Sequence, residues 1–496
     1  MTQQTRATAA VVDFITQARW QDFPPDAIAI GKRCIIDGLG VVLAGSTTAG
    51  SRIIHEYVKS EHGTHGTRND EPGTRNQERG TATVFAAEPF RTSPALAAFA
   101  NGASGHAMDW DDTQLSTTPD RIFGLLTHPT LPPLCAALAV GEKRRVTGLQ
   151  FIEAFLTGFE VECKIAEAIH PDHYKKGFHS SGTIGTFGAM AATARLLGLG
   201  TDATANAVAI AASLAAGIRA NFGTMTKPLH VGRAAQNGVM AADLASRGFT
   251  GAHEGLDGPW GFFQIFSFGS GFDADRIVGT LGNPHTILSP GVSIKPYPCG
   301  VLGHPTMDAM RKLVITHDVK PGQIRAIRVR AGSNILNPLR YPIAQTELEA
   351  KFSPAFMVSA IALRRKAGIH EFTDEFVRSE PAQQMMARVK TILDPEIEAK
   401  GWEKIRSTVE VDLEDGRTLV QDADERYRGG PDHPFTREEL HEKFTDCASL
   451  VLSEEGMADV ISKVEGIEHV SDITALVRAL GGAAAARTSA ATAETR

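Results

Sequence analysis

Residues 100–130 read ANGASGHAMDWDDTQLSTTPDRIFGLLTHPT, and the fold is interpreted outward from this stretch. Apolar, alanine-rich segments with helical spacing lie on both sides of it. Between them stand six polar side chains among small residues: His106, Asp109, Asp111, Asp112, Thr113 and His128. So many polar groups between two buried helices indicate a functional pocket.

Three further segments place reactive or charged groups among small residues. GFHSSGTIGTFG surrounds His179. MTKPLHVGRAAQNG and SIKPYPCGVLGHP supply the others: Lys227, His230, Arg233, Lys295, Tyr297, Cys299 and His304. We predict that all four segments meet in one composite pocket of acids, bases and cations.

The composition is that of a large globular protein. At 496 residues, 42% of them hydrophobic, the chain exceeds what one core usually supports, so two domains are expected. The net charge is -7 and Lys and Arg are scattered, so neither nucleic acid nor an anionic membrane is a predicted partner. A local cluster of cations can still hold an anionic substrate.

The cysteines and the amino terminus predict a cytoplasmic protein. The five cysteines are odd in number, far apart and without a CxxC pair, which favours reduced thiols over disulfides or a zinc site. The first twenty residues lack the apolar core of a secretory signal. No run approaches the roughly 18 consecutive apolar residues of a membrane span.

Helical periodicity dominates the chain up to about residue 275, where the pattern changes. IRAIRVRA at 324–331 alternates with a period of two and predicts a strand. STVEVDLEDGRTLVQ at 407–421 predicts a hairpin that turns at residues 414–416. A capping box at Thr436 and Glu439 then marks the return of helices.

The sequences of these segments and their order along the chain resemble the MmgE/PrpD family, whose members include 2-methylcitrate dehydratase, cis-aconitate decarboxylase and iminodisuccinate epimerase. The resemblance rests on several sequence motifs in a fixed order: 33–46 (RCIIDGLGVVLAGS), 105–109 (GHAMD), 177–179 (GFH), 227–238, 295–309 and 349–352 (EAKF). It covers most of the chain and implies a homodimer.

Pattern and resemblance together predict a mostly α fold of two domains. An all-α helical bundle comprises residues 1–272 and is completed by 433–482, and an inserted α+β lid domain comprises 273–432. Residues 62–80 are expected to form a long exposed loop and 483–496 a disordered tail, because both lack apolar periodicity.

The resemblance implies that Asp109 and Thr113 belong to the active site and that His128 faces the same pocket. His179, at the predicted start of a helix whose dipole favours an anion, and His128 are the candidate acid and base. Lys227 completes the catalytic candidates. The substrate-binding candidates are Lys295, His230, Arg233, Tyr297, His304 and His106.

Several of these side chains have a plainer interpretation. His106 fits a buried core histidine equally well, Arg233 fits a structural partner of an aspartate, and Cys299 is expected to be a packed thiol. Asp111 and Asp112 fit solvated caps at a helix end about as well as a functional site. No metal site is predicted, because no second acidic cluster of similar density accompanies these carboxylates.

Acids, bases, cations and a hydroxyl suit removal of a proton next to a carboxylate and require no cofactor. The family resemblance implies that this chemistry serves a lyase that dehydrates or decarboxylates a small di- or tricarboxylic acid, such as 2-methylcitrate or cis-aconitate. The GFH segment resembles decarboxylase and epimerase members more than methylcitrate dehydratases. An epimerase of an iminodisuccinate-like acid is the alternative. Gly300-Val301 replaces the Cys-Arg usual in the family and motivates a third hypothesis, an inactive carboxylate-binding homologue.

Overall fold

The computed structural model describes residues 6–63, 80–115, 125–401 and 404–481. Most of the predicted loop at 62–80 and the whole predicted tail at 483–496 lie outside these residues. Among the described residues, no helix combines the length and apolarity needed to cross a membrane.

Helices dominate the chain up to residue 266, as the periodicity predicted. They are α1 (Arg6–Gln17), α2 (Pro25–Gly45), α3 (Ala49–Gly63), α4 (Pro94–Ala107), α5 (Leu131–Arg144), α6 (Gly148–Ala168), α7 (Asp172–Lys175), α8 (Ser180–Thr183), α9 (Gly185–Leu197), α10 (Thr201–Leu214), α11 (Thr226–Ser246) and α12 (Phe262–Phe266). Two small antiparallel pairs join them: β1 (Ala82–Val84) with β2 (Phe90–Thr92), and β3 (Gln114–Leu115) with β4 (Leu125–Thr127).

The following segment mixes helices with one four-stranded sheet. Its elements are α13 (His304–Thr316), β5 (Ile324–Ala331), α14 (Ser333–Leu336), α15 (Glu347–Ala350), α16 (Pro354–Arg364), α17 (Asp374–Arg378), α18 (Glu380–Ala387), β6 (Val389–Leu393), α19 (Pro395–Ala399), β7 (Ser407–Leu413) and β8 (Thr418–Asp422). The strand order is β6-β5-β7-β8, with only the β5–β6 pair parallel. The predicted strand and hairpin are confirmed, and so is the mostly α fold with a small sheet domain.

Strand β6 was not predicted from the sequence. Its five residues, VKTIL, are all at least partly exposed, because β6 lies at the edge of the sheet. An edge strand of this kind lacks the alternation of buried and exposed side chains that identifies β5.

Three helices close the described chain: α20 (Arg437–Ala448), α21 (Glu454–Glu465) and α22 (Thr474–Gly481). The predicted capping box is confirmed, since the Thr436 side chain accepts from the Glu439 amide and the Glu439 carboxylate accepts from the Thr436 amide. Helix α20 packs on α2, and apolar side chains of all three helices belong to the same buried cluster as those of α2, α4, α5 and α6. The chain therefore returns to its first helices after the sheet.

Helix α11 packs against α4, α5 and α9 in the helical core, and α5 also packs against α4 and α9. Glycines allow the closest approach: a Cβ on Gly232 of α11 would lie 2.4 Å from the carbonyl oxygen of Phe99 in α4. A Cβ on Gly102 of α4 would in turn lie 3.1 Å from the Cα atom of Gly232. This contact fixes where the end of α4 stands relative to the start of α11.

Candidate active site

Asp109 follows the carboxyl end of α4 and joins three parts of the chain. Its φ of 52° lies in the left-handed region that Asp tolerates better than most residues. Its Oδ1 accepts hydrogen bonds from Nζ of Lys227 at 2.7 Å and from Nζ of Lys295 at 2.9 Å. Lys295 also donates to the Asp109 carbonyl oxygen at 3.0 Å. The buried Oδ2 receives no hydrogen bond from any described residue.

Buried charges of both signs surround Asp109. Burial would raise the pKa of Asp109, but Lys227 and Lys295 outweigh it and hold that pKa well below its usual value. Burial lowers the pKa of Lys227, whereas at Lys295 the attraction of Asp109 and Asp111 overcomes burial and raises the pKa. Two buried ammonium groups thus share one carboxylate oxygen of Asp109, and the ionised Asp111 is a second negative charge near them.

Three imidazole rings gather beside these charges. His106 comes from the last turn of α4, His128 from the residues before α5 and His179 from the position before α8. The ring centroids lie 4.8 Å apart for His106 and His128, 5.7 Å for His106 and His179, and 6.3 Å for His128 and His179. All three are buried.

Hydrogen bonds at Nδ1 fix the tautomers of two of the rings. His106 Nδ1 lies 2.8 Å from a carboxylate oxygen of Asp111, and His128 Nδ1 lies 2.7 Å from the carbonyl oxygen of Asp112. Both partners can only accept. The partner of His128 is a backbone carbonyl oxygen. Asp111 is ionised, because burial raises its pKa by less than His106 and His128 lower it. Each ring therefore donates from Nδ1 and carries its lone pair on Nε2. No described residue bonds the buried Nε2 of His106.

His179 forms a pair with His230, one turn into α11. Their Nδ1 atoms lie 3.0 Å apart, so one imidazole donates and the other accepts. Burial lowers the pKa of His179 well below its usual value and that of His230 to about 4. Burial also lowers the pKa values of His106 and His128, so the four rings are neutral near pH 7.

Thr113 attaches this region to the segment that carries Lys295. Its amide donates to the Ser293 carbonyl oxygen at 2.9 Å, and the Ser293 amide donates back at 2.8 Å. Its buried Oγ1 has no hydrogen-bond partner within the described ranges. A hydroxyl in this state is available to a ligand.

Family models match both parts of the chain that build this site. The MmgE/PrpD N-terminal domain matches residues 9–275, and the MmgE/PrpD C-terminal domain matches residues 297–465.

The chain belongs to the MmgE/PrpD family.

Similar proteins are named as cis-aconitate decarboxylases or as decarboxylase-like. Human cis-aconitate decarboxylase is 29% identical over 462 residues, which cover 91% of this chain and 89% of the relative. Cis-aconitate decarboxylase of Aspergillus terreus is 24% identical over 495 residues, 95% of each chain. A cis-aconitate decarboxylase-like protein of Aspergillus oryzae is 26% identical over 502 residues, covering 97% of this chain and 98% of the relative.

One predicted residue of this MmgE/PrpD chain lies outside the cluster. Arg233 is exposed, and its guanidinium donates to the side chain of Gln236. An α-helix turns about 100° per residue, so Arg233 points away from the side of α11 that carries Lys227. The structure thus does not bring Arg233 to the cluster around Asp109, and Arg233 forms no ion pair with an aspartate among the described residues. A role of Arg233 in substrate binding stays a prediction. Helix α11 begins at Thr226, so Lys227 lies in its first turn.

Tyr297 and His304 are buried near Lys295, but their contacts lie within the second domain. The Tyr297 hydroxyl donates to Asp308 at 2.5 Å, and His304 Nε2 lies 3.1 Å from the Cys299 carbonyl oxygen. The two rings pack edge to face at 5.4 Å. The buried Nδ1 of His304 has no hydrogen-bond partner among the described residues, and a role of the two side chains in substrate binding stays a prediction. Burial raises the pKa of the Cys299 thiol, which agrees with a packed cysteine.

The solvated interpretation of Asp111 and Asp112 is wrong, because both are 1% exposed. Asp111 orients His106 as described above. Asp112 accepts from the Thr130 hydroxyl at 2.6 Å and from its amide at 3.3 Å. Burial, with Asp37 and Asp111 adding to it, raises the pKa of Asp112 to about 8.

Sequence reasoning missed Lys351 and an aromatic wall. Lys351 is 1% exposed and donates to the carbonyl oxygen of Ala107, two residues before Asp109, at 3.1 Å. The rings of Phe222 and Phe352 stack with their centroids 5.6 Å apart, and Nζ of Lys227 lies 5.4 Å from each ring centroid. The EAKF motif at 349–352 contains Lys351 and Phe352, and it was the sequence signal that could have identified these two residues.

His106, His128 and His179 can each offer one ring nitrogen within 4.8 Å of the others, as can the donor atoms of His106, Asp109 and Asp111. Three neutral imidazoles are a donor set that transition metals accept. The expectation that the protein uses no metal therefore stays a prediction. Helix α8, which starts after His179, is a single turn, so a helix dipole gives little support for an anion there.

Proposed function

We propose that this MmgE/PrpD protein is a lyase that decarboxylates a small unsaturated tricarboxylate of the cis-aconitate type. The observation that carries the proposal is the buried arrangement of Lys227 and Lys295 on one carboxylate of Asp109, next to three neutral imidazoles. Cis-aconitate decarboxylases at 24–29% identity over nearly the whole chain support this substrate class.

Substrate carboxylates bind to the two ammonium groups in this proposal. Lys227 and Lys295 both contact Asp109 through Oδ1, and their remaining N–H groups are free to turn toward an anion. The stacked rings of Phe222 and Phe352 give the carbon skeleton an apolar surface beside Lys227. The Thr113 hydroxyl offers one further hydrogen bond.

The reaction needs one bond broken and one proton delivered. The C–C bond to one carboxylate breaks and CO2 leaves, and the electron pair stays on the carbon skeleton. The neighbouring double bond and carboxylate spread that charge, which the nearby ammonium groups stabilise. A proton then forms a new C–H bond, so a tricarboxylate plus one proton gives a dicarboxylate plus CO2.

His179 is the proton donor in this proposal. The four imidazoles are neutral in the free protein, but the negative charges of a bound tricarboxylate raise their pKa values. The His179–His230 pair then takes up a proton, which His179 delivers from Nε2 because its Nδ1 faces His230. His128 and His106 present lone pairs at Nε2 and can accept a proton.

Proton NMR in deuterated water tests the proposed reaction. The purified protein is offered cis-aconitate, citrate, 2-methylcitrate and iminodisuccinate. We expect only cis-aconitate to lose CO2, with one solvent deuterium in each product molecule. The His179→Gln variant should lose this activity while the exposed Arg233→Gln variant retains it. Dehydration, or inversion with solvent exchange and no CO2, would assign the chain to another family activity. If none of the four acids reacts, the result would support the hypothesis of an inactive homologue.

The proposed enzyme is a cytoplasmic homodimer, as the resemblance and the cysteine usage imply. All five cysteines are buried free thiols, which is consistent with a reducing compartment. Light scattering during size-exclusion chromatography should give twice the chain mass of 53.0 kDa. A mass of one chain at micromolar concentration would contradict the homodimer.

A further inference from the structure

A cavity lies at the opposite end of the helices that build the active site. It has a volume of about 430 Å³, within the range of small-molecule sites. It is lined by the first residues of α4 and by residues near the carboxyl ends of α5, α9 and α11. Asp109, His128 and Lys227 stand at or next to the other ends of α4, α5 and α11, and His179 precedes the short helix α8 that leads into α9. The two sites are therefore separate.

The charge at this cavity is positive. Lys143 and Arg144 from the last turn of α5 line it, together with Arg247 and Asp243 at the end of α11. Arg247 donates to Asp243 at 2.9 Å, so these two charges offset each other. Lys143 and Arg144 form no ion pair with a described residue. Two cationic side chains thus remain for an anion in a protein whose net charge is -7.

Polar groups at the cavity also lack partners. Thr193 of α9 lines it and is fully buried, and its Oγ1 makes no hydrogen bond within the part of the chain that the structure describes. A buried hydroxyl without a partner destabilises the fold, because it has lost its hydrogen bonds to water and gained none in the protein. The 14-residue helix α4 begins at the same cavity with Pro94 and Ala95, and first-turn amides such as that of Ala95 have no acceptor within the helix.

We propose that this cavity binds a small organic or inorganic polyanion bearing carboxylate or phosphate groups. Lys143 and Arg144 contact its charged groups, the start of α4 adds an amide donor, and Thr193 supplies a buried hydrogen bond. Asp243 opposes the anion and restricts Arg247. This site is independent of the proposed decarboxylation, since none of these residues contributes to the cluster around Asp109.

Isothermal titration calorimetry of the full-length protein at low ionic strength, with citrate and inorganic phosphate as probes, tests the site. The Lys227→Met variant isolates it from the active site and should still bind at least one probe. Adding Lys143→Gln and Arg144→Gln should weaken that binding at least about ten-fold, the usual effect of losing a charge-assisted contact. The probe that binds more tightly identifies a carboxylate or a phosphate ligand.

Two further variants give effects that a merely structural role would not produce. Thr193→Val should weaken probe binding and raise the melting temperature of the free protein, because it removes the unsatisfied hydroxyl at constant volume. Asp243→Asn should strengthen binding by releasing Arg247. Turnover of cis-aconitate without added anion should be unchanged by Lys143→Gln/Arg144→Gln. Binding of neither probe to Lys227→Met, or equal binding with and without the Lys143 and Arg144 changes, would overturn the proposal.

Discussion

Asp109 shows how a single residue sets the charge of the active site. A non-glycine residue at φ 52° carries a backbone cost of about 1–3 kcal/mol, which a glycine would avoid. The carboxylate offsets this cost by holding Lys227 and Lys295 together in a dry environment. Its conformation is therefore linked to the proposed chemistry.

Replacing Asp109 by Asn should reduce both stability and activity. The variant leaves two buried ammonium groups without their counter-charge, and breaking a buried pair in this way costs about 3–5 kcal/mol. We expect a loss of that size in the free energy of unfolding in urea, and a fall in kcat/KM of at least about 100-fold. The matched control is Asp243→Asn, which breaks an exposed pair and should cost less than about 1 kcal/mol. Equal effects of the two substitutions would contradict the account of Asp109.

Asp112 predicts a pH dependence of stability. Its pKa is about 8 in the folded protein and about 3.9 when unfolded, so the folded state holds a proton that the unfolded state loses. The resulting stabilisation is complete below about pH 4 and is lost as the pH rises through about 8, at up to about 1.4 kcal/mol per pH unit. The stability of Asp112→Asn relative to the wild type should thus increase from pH 4 to 8 and then level off. A constant difference across this range would show that Asp112 titrates normally.

At the scale of residues, the sequence predicted which side chains form the site better than it predicted the direction in which each side chain points. Lys227, Lys295, His128 and His179 stood among small residues and meet as expected. Arg233 has the same local surroundings, but only the rotation of α11 shows that it points outward. Long-range contacts such as that of Lys351 with Ala107, 244 positions apart, leave no local pattern at all.

Helices α4 and α11 show how elements set the geometry of the site. The carboxyl end of α4 carries His106 and Asp109, and the start of α11 carries Lys227 and His230. The glycine contact between the two helices determines how closely these ends approach.

Gly232→Ala should separate α4 from α11. Its Cβ would meet the carbonyl oxygen of Phe99 at 2.4 Å, so backbone must move, at a cost of about 1–3 kcal/mol. Because α11 carries Lys227, we also expect kcat to fall. Gly322→Ala is the control, since nothing lies within 4 Å of its Cβ and its φ is not positive. Thermal unfolding and steady-state kinetics would measure both effects, and a Gly232→Ala enzyme like the control would rule out this role of the contact.

At the scale of elements, periodicity located most helices and the hairpin, because their patterns are local. It does not locate the start of α11, because Pro228 is compatible both with a helix boundary and with the first turn of a helix, where it lies. It also does not show that α8 and α9 are separated at Ile184.

The whole molecule brings distant segments onto one site. Lys443 of α20 lies 2.6 Å from Asp37 of α2 and donates to the Trp110 carbonyl oxygen, next to Asp109, at 2.8 Å. The carboxyl-terminal helices thus support the active site from behind. This arrangement supports the proposal that residues 433–482 complete the domain of residues 1–272, whose limits remain to be tested by limited proteolysis.

Lys443→Met should destabilise the entire protein. It leaves the buried Asp37 without its cation, and we expect a loss of about 3–5 kcal/mol in the free energy of unfolding. Lys463→Met, which breaks an exposed pair with Asp459 within α21, should cost less than about 1 kcal/mol. Urea unfolding followed by both circular dichroism and tryptophan fluorescence measures these values. A loss confined to one probe would mean that α20 unfolds separately from the helical core.

The most direct measurement of the central claim is CO2 release from carbon-13-labelled cis-aconitate in deuterated water, compared among wild type, Lys227→Met and Arg233→Gln. The account predicts one CO2 and one incorporated deuterium per turnover in the wild type, the same stoichiometry and a similar rate for Arg233→Gln, and loss of turnover for folded Lys227→Met. Products that retain all three carboxylates, or undiminished CO2 release by Lys227→Met, would contradict it.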